Sequence, residues 1–137
     1  MGLKRLIVLG LIGGVVMNVC DIIVQGVMLA SWYTGEVFRD PNEVILWLIL
    51  VDFAAAFVFV WLYLKLGSAA GAGLRGAILF GAYAGVLYSF PMYFAMGLLF
   101  KGVPWMLSVI DTVYGIAQYT VLGTVVGALD ARLTRVA

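Results

Sequence analysis

Four long stretches of almost unbroken apolar residues divide the chain, with short polar or glycine-rich stretches between them. The apolar stretches cover about residues 6–30, 44–66, 76–100 and 104–129. Each is long enough to cross a bilayer as an α-helix, which takes about 20 apolar residues. The pattern predicts an all-α protein, a four-helix transmembrane bundle that forms a single integral membrane domain.

The composition supports a membrane environment. Of the 137 residues, 65% are hydrophobic and 11% are charged, whereas a soluble domain is about 45–50% apolar and about 25% charged. So short a chain has too much surface relative to its core to hide this excess from water. We therefore expect membrane lipid as a partner. The net charge is +1, and nothing in the sequence predicts a nucleic-acid partner.

The sequence has one cysteine, Cys20, and no histidine. A single cysteine cannot form an internal disulfide or a CxxC site. Without histidine the usual zinc, haem and histidine-based acid–base sites are excluded. We therefore expect no cofactor, no metal ligands and no catalytic residues, although these absences alone do not exclude an enzyme.

The N-terminal segment begins like a signal peptide, with Lys4 and Arg5 before an apolar run. The run continues to about Ala30, which is too long for the apolar region of a signal peptide, and no A-x-A cleavage site follows. The segment is therefore interpreted as a retained first span.

Lysine and arginine are distributed unevenly between the two ends of the predicted bundle. One end carries Lys4, Arg5, Lys65, Arg75, Arg132 and Arg135, and the other carries Arg39 and Lys101. The positive-inside rule then places both termini in the cytoplasm. The first connection, 31–43, lies on the outer side and includes Glu36. Tryptophan and tyrosine side chains form a predicted aromatic belt there: Trp32, Tyr33, Trp47 and Trp105.

Three carboxylates lie inside the predicted spans: Asp21, Asp52 and Asp111. An aspartate at the centre of a bilayer costs about 2.5–3.5 kcal/mol on insertion scales, so these side chains should face protein or water and not lipid. At 1.5 Å per residue, all three lie roughly 10–14 Å below the outer boundary.

Further polar residues are ordered around these carboxylates. Asn18, Asp21 and Gln25 share one face of the first span at a spacing of i, i+3, i+7. The fourth span repeats the arrangement with Ser108, Asp111, Tyr114 and Gln118, and the third span carries Tyr88 and Tyr93 on either side of Pro91.

If these faces converge, the carboxylates form one acidic cluster in which at least one must hold a proton, unless a cation lies among them. The candidate ligand-binding residues are Asn18, Asp21, Gln25, Asp52, Tyr88, Tyr93, Asp111, Tyr114 and Gln118. The alternative is structural: polar side chains also join helices by hydrogen bonds, and the aromatic residues suit ordinary core packing.

Three glycine pairs at the GxxxG spacing allow close backbone approach in the inner half of the bundle. They are Gly10 and Gly14, Gly81 and Gly85, and Gly123 and Gly127. We therefore expect a tightly packed inner half and, in the outer half, a cavity that opens outwards with the acidic cluster near its floor.

The first of two features that indicate the origin of the chain is an internal repeat. Trp47 precedes Asp52 near the start of the second span, and Trp105 precedes Asp111 near the start of the fourth. This pattern suggests two duplicated helical hairpins.

The second feature is a resemblance to a family. Trp32-Tyr33 followed by Phe38 resembles the W-Y-x4-F signature of the domain-of-unknown-function 1761 family. The stretch from Leu99 through Lys101-Gly102 to Asp111 and Tyr114 is similar to the same family. The resemblance covers about half of the chain. It implies a small four-helix membrane protein of a prokaryotic inner membrane, and it brings no activity.

The sequence therefore favours a small integral membrane binding or transport protein. Its outward-facing acidic and polar site would take a proton, a cation or an amphipathic small molecule. Four helices are few for a transport path, so we expect a homo-oligomer or a membrane-complex partner. The alternatives are an accessory or structural subunit of a larger membrane complex and, less favoured, a membrane enzyme that modifies lipid or quinone.

Overall fold

The structure of the protein is a computed structural model that describes residues 2–33 and 38–136, without the side chains of residues 41, 135 and 136. The prediction for Glu36 lies outside the described residues. So does the side chain of Arg135, whose backbone belongs to the last helix.

Four long α-helices account for most of the described chain. They are α1 (Leu3–Asp21), α2 (Pro41–Leu66), α3 (Gly73–Leu99) and α4 (Trp105–Val136). A π-helical segment, Ile22–Met28, continues α1, and short 3₁₀ turns follow at Ala30–Trp32 and Gly67–Ala70. The described residues include no strand. The predicted all-α four-helix bundle is confirmed.

All four helices are long and apolar enough to cross a membrane. The candidate spans are Leu3–Met28, Asn42–Ala70, Gly73–Leu99 and Trp105–Thr134. Large apolar side chains cover the outside of the bundle, and Leu87 and Leu98 are 77% and 74% exposed. Such a surface is stable only in an apolar solvent. These features indicate a multi-pass membrane protein.

The helix boundaries differ from the apolar stretches because polar residues also begin and end helices. At the start of α2, the side chain of Asp40 accepts a hydrogen bond from the Asn42 backbone N–H at 2.9 Å. Pro41 follows as the first helical residue. An aspartate cap followed by proline starts a helix regardless of hydrophobicity. The helix therefore begins at residue 41, before the predicted span start at 44.

Successive helices run in opposite directions, which gives the bundle two distinct ends. At the terminal end, Arg5 near the start of α1 pairs with Asp130 near the end of α4. At the loop end lie the connections from α1 to α2 and from α3 to α4. The helices pack mainly as two hairpins, α1 with α2 and α3 with α4, and α1 and α4 join the hairpins.

The glycine pairs do not all act as predicted. In α3 and α4 the glycines do bring backbones together: a Cβ at Gly85 would stand 2.8 Å from the Ile116 Cα of α4. In α1, by contrast, the phenyl rings of Phe57 and Phe53 from α2 pack against Gly10 and Gly14. The expectation of close backbone approach was therefore wrong for α1, because a ring occupies the space where a Cβ would lie.

Close packing is also not limited to the predicted inner half. Near the loop end, a Cβ at Gly97 would meet the side chain of Ser108. The α3–α4 contact is therefore tight along most of its length. The buried core between α1, α2 and α4 lies towards the terminal end and includes Leu9, Val60, Leu122 and Val126.

Candidate functional site

Asp21 and Asp52 meet in the interior of the bundle. Asp21 is the last residue of α1, and Asp52 lies in the first half of α2. Their carboxyl groups lie side by side, within reach of a hydrogen bond to each other. An ionised carboxylate has no proton to donate, so one member of this carboxyl pair must be protonated for the bond to exist.

Two neutral donors from α4 hold Asp21 in place. The Tyr114 hydroxyl donates to Asp21 Oδ1 at 2.5 Å, and the Gln118 amide nitrogen donates to the same oxygen at 2.8 Å. The Gln118 amide also reaches the Met17 carbonyl oxygen at 3.3 Å. These bonds join α1 to α4, so the carboxyl pair connects three helices.

Asp111 lies near the carboxyl pair but bonds elsewhere. It is 5% exposed on α4 and interacts electrostatically with Asp21. Its hydrogen-bond partner is the hydroxyl of Tyr33, which donates to Asp111 Oδ1. Burial and the nearby carboxylate raise the pKa of Tyr33, so this phenol remains a neutral donor.

Tyrosine rings complete the surroundings of the carboxylates. Tyr88 of α3 interacts electrostatically with Asp21 and Asp52. Its ring centroid lies 6.4 Å from that of Tyr93 and 5.4 Å from that of Tyr119. Tyr88 is 45% exposed, so the aromatic group extends from the carboxyl pair to the outside of the bundle.

A cavity of about 160 Å³ lies beside Asp111 at the loop end of the bundle. Its polar lining is Gln25, Tyr33, Tyr93, Ser108 and Asp111, and its apolar lining is Phe38, Met96, Val103 and Leu107. This loop-end cavity contains one carboxylate and, among its described lining residues, no lysine or arginine. Its local charge is therefore zero or negative.

Ser108 stands out in this lining because its hydroxyl is unpaired. It is 2% exposed, and its Oγ has no hydrogen-bond partner among the described residues. Elsewhere on α4, the buried hydroxyl of Thr112 donates to the carbonyl oxygen four residues earlier, the usual arrangement for a hydroxyl in an apolar helix. Ser89 is also buried and unpaired, and both serines pack against a glycine of the facing helix, Ser108 against Gly97 and Ser89 against Gly115. Of the two, Ser108 lines the cavity and Ser89 does not.

The structure brings most of the predicted site residues together. Asp21, Asp52, Tyr114 and Gln118 form the bonded centre, with Tyr88 beside it. Gln25, Tyr93 and Asp111 line the loop-end cavity.

Asn18 is the exception. Its amide donates to the Gly14 carbonyl oxygen of its own helix at 2.9 Å, and this bond does not join it to the cluster. Asn18 and Asp21 both lie in α1, whereas the π-helical backbone that begins directly after Asp21 rotates Gln25 off the face that an α-helix would give it.

Sequence reasoning missed Tyr33 as a site residue. We expected it in an aromatic belt at the membrane interface, whereas its hydroxyl turns inward to Asp111. Its ring packs edge-on against Phe38, with centroids 5.4 Å apart. Tyr33 and Phe38 are the second and last aromatic residues of the W-Y-x4-F pattern, so that pattern was the available signal.

A second cavity, of about 260 Å³, lies at the terminal end and was not predicted. The ion pair of Arg5 and Asp130 lines it, together with Tyr63 and the backbone of the α2–α3 connection. The Arg5 Nη2 donates to Asp130 Oδ2 at 2.5 Å, and its Nε donates to the other carboxylate oxygen. The pair satisfies both charges, so this cavity contains no unpaired ion.

No group of three or more histidine, cysteine, aspartate or glutamate side chains in the described part of the chain is placed to hold a metal ion. Comparison with family models, with curated proteins and with solved structures finds no match in any of the three sets. The resemblance to the domain-of-unknown-function 1761 family therefore stays a prediction.

Proposed function

We propose that this protein is a membrane binding or transport protein whose carboxyl pair takes up and releases a proton. The observation that carries the proposal is the close approach of the Asp21 and Asp52 carboxyl groups, which lie in two neighbouring candidate membrane spans. The two carboxyl groups can bond to each other only while one of them holds a proton, and loss of that proton places two negative charges side by side. The protonation state therefore changes the contact between α1 and α2.

The surroundings of the carboxyl pair support this role. Tyr114 and Gln118 are neutral donors, and the one ion pair among the described residues, Arg5 with Asp130, lies at the other end of the bundle. No fixed positive charge in the described structure compensates the carboxylates. A proton or an incoming cation is then the species that neutralises them, and Asp111 adds a third carboxyl group nearby.

A purely structural role would not require two adjacent carboxyl groups. Hydrogen bonds between membrane helices contribute about 0.6 kcal/mol each on average, and asparagine or glutamine would provide them at a smaller insertion cost than aspartate. Two adjacent carboxyl groups are an inefficient way to join helices. They are well suited to exchanging a proton.

A hydrophobic carbodiimide tests the protonation, because it modifies carboxyl groups that hold a proton in an apolar environment. The full-length protein in lipid vesicles is treated at neutral pH, and the modified residues are identified by mass spectrometry. We expect modification of Asp21 or Asp52, whereas the exposed Glu43 in the first turn of α2 stays unmodified.

Two variants make the test specific. In Asp52→Asn the amide donates to Asp21 without a shared proton, so the modification of Asp21 should decrease strongly. Glu43→Gln is the matched control and should leave the modification unchanged. If the folded wild-type protein is not modified at the pair while the unfolded protein is, the pair holds no proton and the proposal is wrong.

The orientation and the partners belong to the same proposal. We place the terminal end in the cytoplasm of a prokaryote, with the loop-end cavity facing outwards, because the lysine and arginine excess lies at the terminal end. Reporter domains fused to either terminus should both be active in the cytoplasm.

Four helices offer a short path, so we also propose a homo-oligomer. A stable complex with other membrane subunits, isolated from native membranes, would favour the accessory role instead.

A further inference from the structure

We propose that the loop-end cavity binds a small primary alkylammonium ion, with Asp111 and Ser108 accepting its N–H groups. This inference rests on the proposed function and names the ligand class for it. It also assigns a role to Ser108, whose buried hydroxyl the bundle itself leaves unused.

The size of the cavity limits the ligand. Its volume is about 160 Å³, close to that of an engineered protein cavity of about 150 Å³ that binds benzene. A ligand of about six non-hydrogen atoms fills such a space. Larger amphipathic cations do not fit without movement of the surrounding side chains.

The charge of the lining determines the sign of the ligand. Asp111 is the one carboxylate in the lining, and none of the described lining residues is cationic. Tyr33 donates to one of its two carboxylate oxygens, which leaves the second oxygen for a ligand. The rings of Tyr33 and Tyr93 add cation–π attraction for a positive group. An anion would find no cation to pair with among the described lining residues.

The unpaired acceptors favour a primary ammonium group over a quaternary one. A buried hydroxyl without a partner costs roughly 1–3 kcal/mol. Of the two such hydroxyls in the described chain, that of Ser108 belongs to a cavity-lining residue, so a ligand in the cavity can supply its partner. Ser108 Oγ can accept an N–H, and so can the amide oxygen of Gln25. Together with Asp111 they match the three N–H groups of an alkylammonium ion. Met96, Val103 and Leu107 provide the apolar surface for its alkyl chain.

The test is titration calorimetry of the purified full-length protein with n-butylammonium. Two size-matched probes are compared with it: tetramethylammonium, which has the charge but no N–H, and butyrate, which has the opposite charge. We expect n-butylammonium to bind at least tenfold more tightly than tetramethylammonium, because hydrogen bonds to charged groups are lost with the latter. Butyrate should not bind. Equal affinity for all three probes, or no binding of n-butylammonium, overturns the inference.

Two serine variants provide a matched pair. Ser108→Ala removes the acceptor in the cavity and should weaken n-butylammonium binding by roughly three- to tenfold. Ser89→Ala removes the other buried, unpaired hydroxyl, which lies outside the cavity, and should leave binding unchanged. Both variants should fold, because alanine is smaller than serine and favours helix. If Ser108→Ala binds as tightly as the wild type, Ser108 is not part of the site and the inference fails.

A failure of the alkylammonium site can be distinguished from a failure of the proposed proton exchange. Repeating the titration in buffers of different ionisation enthalpy counts the protons released on binding. Binding that depends on Ser108 but releases no proton leaves the alkylammonium site intact and refutes the proton exchange. Carbodiimide modification of the carboxyl pair without any Ser108-dependent binding refutes the site and leaves the protonation of the pair in place.

Discussion

Replacing Gly85 with alanine should destabilise the bundle, whereas replacing Gly10 with alanine should have little effect. The distances alone suggest the opposite order. A Cβ at Gly10 would lie 2.5 Å from the Phe57 ring of α2, and a Cβ at Gly85 would lie 2.8 Å from the Ile116 Cα of α4. What decides the result is whether the atom that is met can move.

At Gly85 the obstacle is backbone. Carbon atoms pack at no less than about 3.5 Å, so α3 and α4 would have to separate by about 0.7 Å, and such a gap loses a quarter or more of the dispersion energy of the atoms along it. Overpacking of this kind costs about 1–3 kcal/mol. Alanine recovers about 0.5–1 kcal/mol relative to glycine inside a helix. With the middle of each range, the net loss should be about 1 kcal/mol.

At Gly10 the obstacle is the edge of a half-buried ring. The Phe57 side chain can rotate towards lipid without displacing α2. The helix-forming gain of alanine, about 0.5–1 kcal/mol, then offsets most of the repacking cost.

Equilibrium unfolding in mixed detergent micelles with increasing dodecyl sulfate, followed by circular dichroism, measures both variants. Gly85→Val should extend the Gly85 series to a larger loss. A Gly85→Ala protein as stable as the wild type, or a Gly10→Ala protein that loses as much as Gly85→Ala, would refute this reasoning about backbone and side-chain obstacles.

Two further variants test individual contacts by the same unfolding assay. Tyr33→Phe keeps the ring contact but removes the hydroxyl that donates to Asp111. It should lower the free energy of unfolding by about 1.5–3 kcal/mol if that carboxylate is ionised. Tyr83→Phe, the control at an exposed position, should leave the free energy of unfolding unchanged. Asp130→Asn breaks the two-pronged ion pair with Arg5 and should cost about 1–2 kcal/mol, reduced by the partial exposure of Arg5. An unchanged stability in either Tyr33→Phe or Asp130→Asn would mean that its bond does not persist in the membrane.

The sequence alone was enough to determine the number of helices and their alternating direction. Each apolar stretch must satisfy its backbone hydrogen bonds within itself in lipid, so length and hydrophobicity define a span without any knowledge of its neighbours. Even the early start of α2 was encoded locally, since Asp40 followed by Pro41 is a complete start signal. The cost of exposing an aspartate to lipid also predicted that the three aspartates face protein or water. In the structure Asp111 is buried, and Asp21 and Asp52 are partly buried.

The partners of those aspartates could not be predicted. Periodicity places residues on one face of a helix, but a span that is apolar on all sides carries little information about which face meets which neighbour. Packing therefore decided that Asp21 lies beside Asp52 and that Asp111 bonds to Tyr33. It also decided that the π-helical segment after Asp21 directs Gln25 to the cavity while Asn18 bonds to its own helix.

For the glycines, too, the sequence predicted the positions and tertiary packing decided the partners. Their spacing identified three positions for close contact, but a missing Cβ is equally suited to a backbone and to a phenyl ring. Only the rotation of each helix, which is fixed by all of its contacts together, brought Gly85 against the α4 backbone and Gly10 against Phe57. The sequence determined which elements exist and which side chains must be buried, and tertiary packing determined which of them meet.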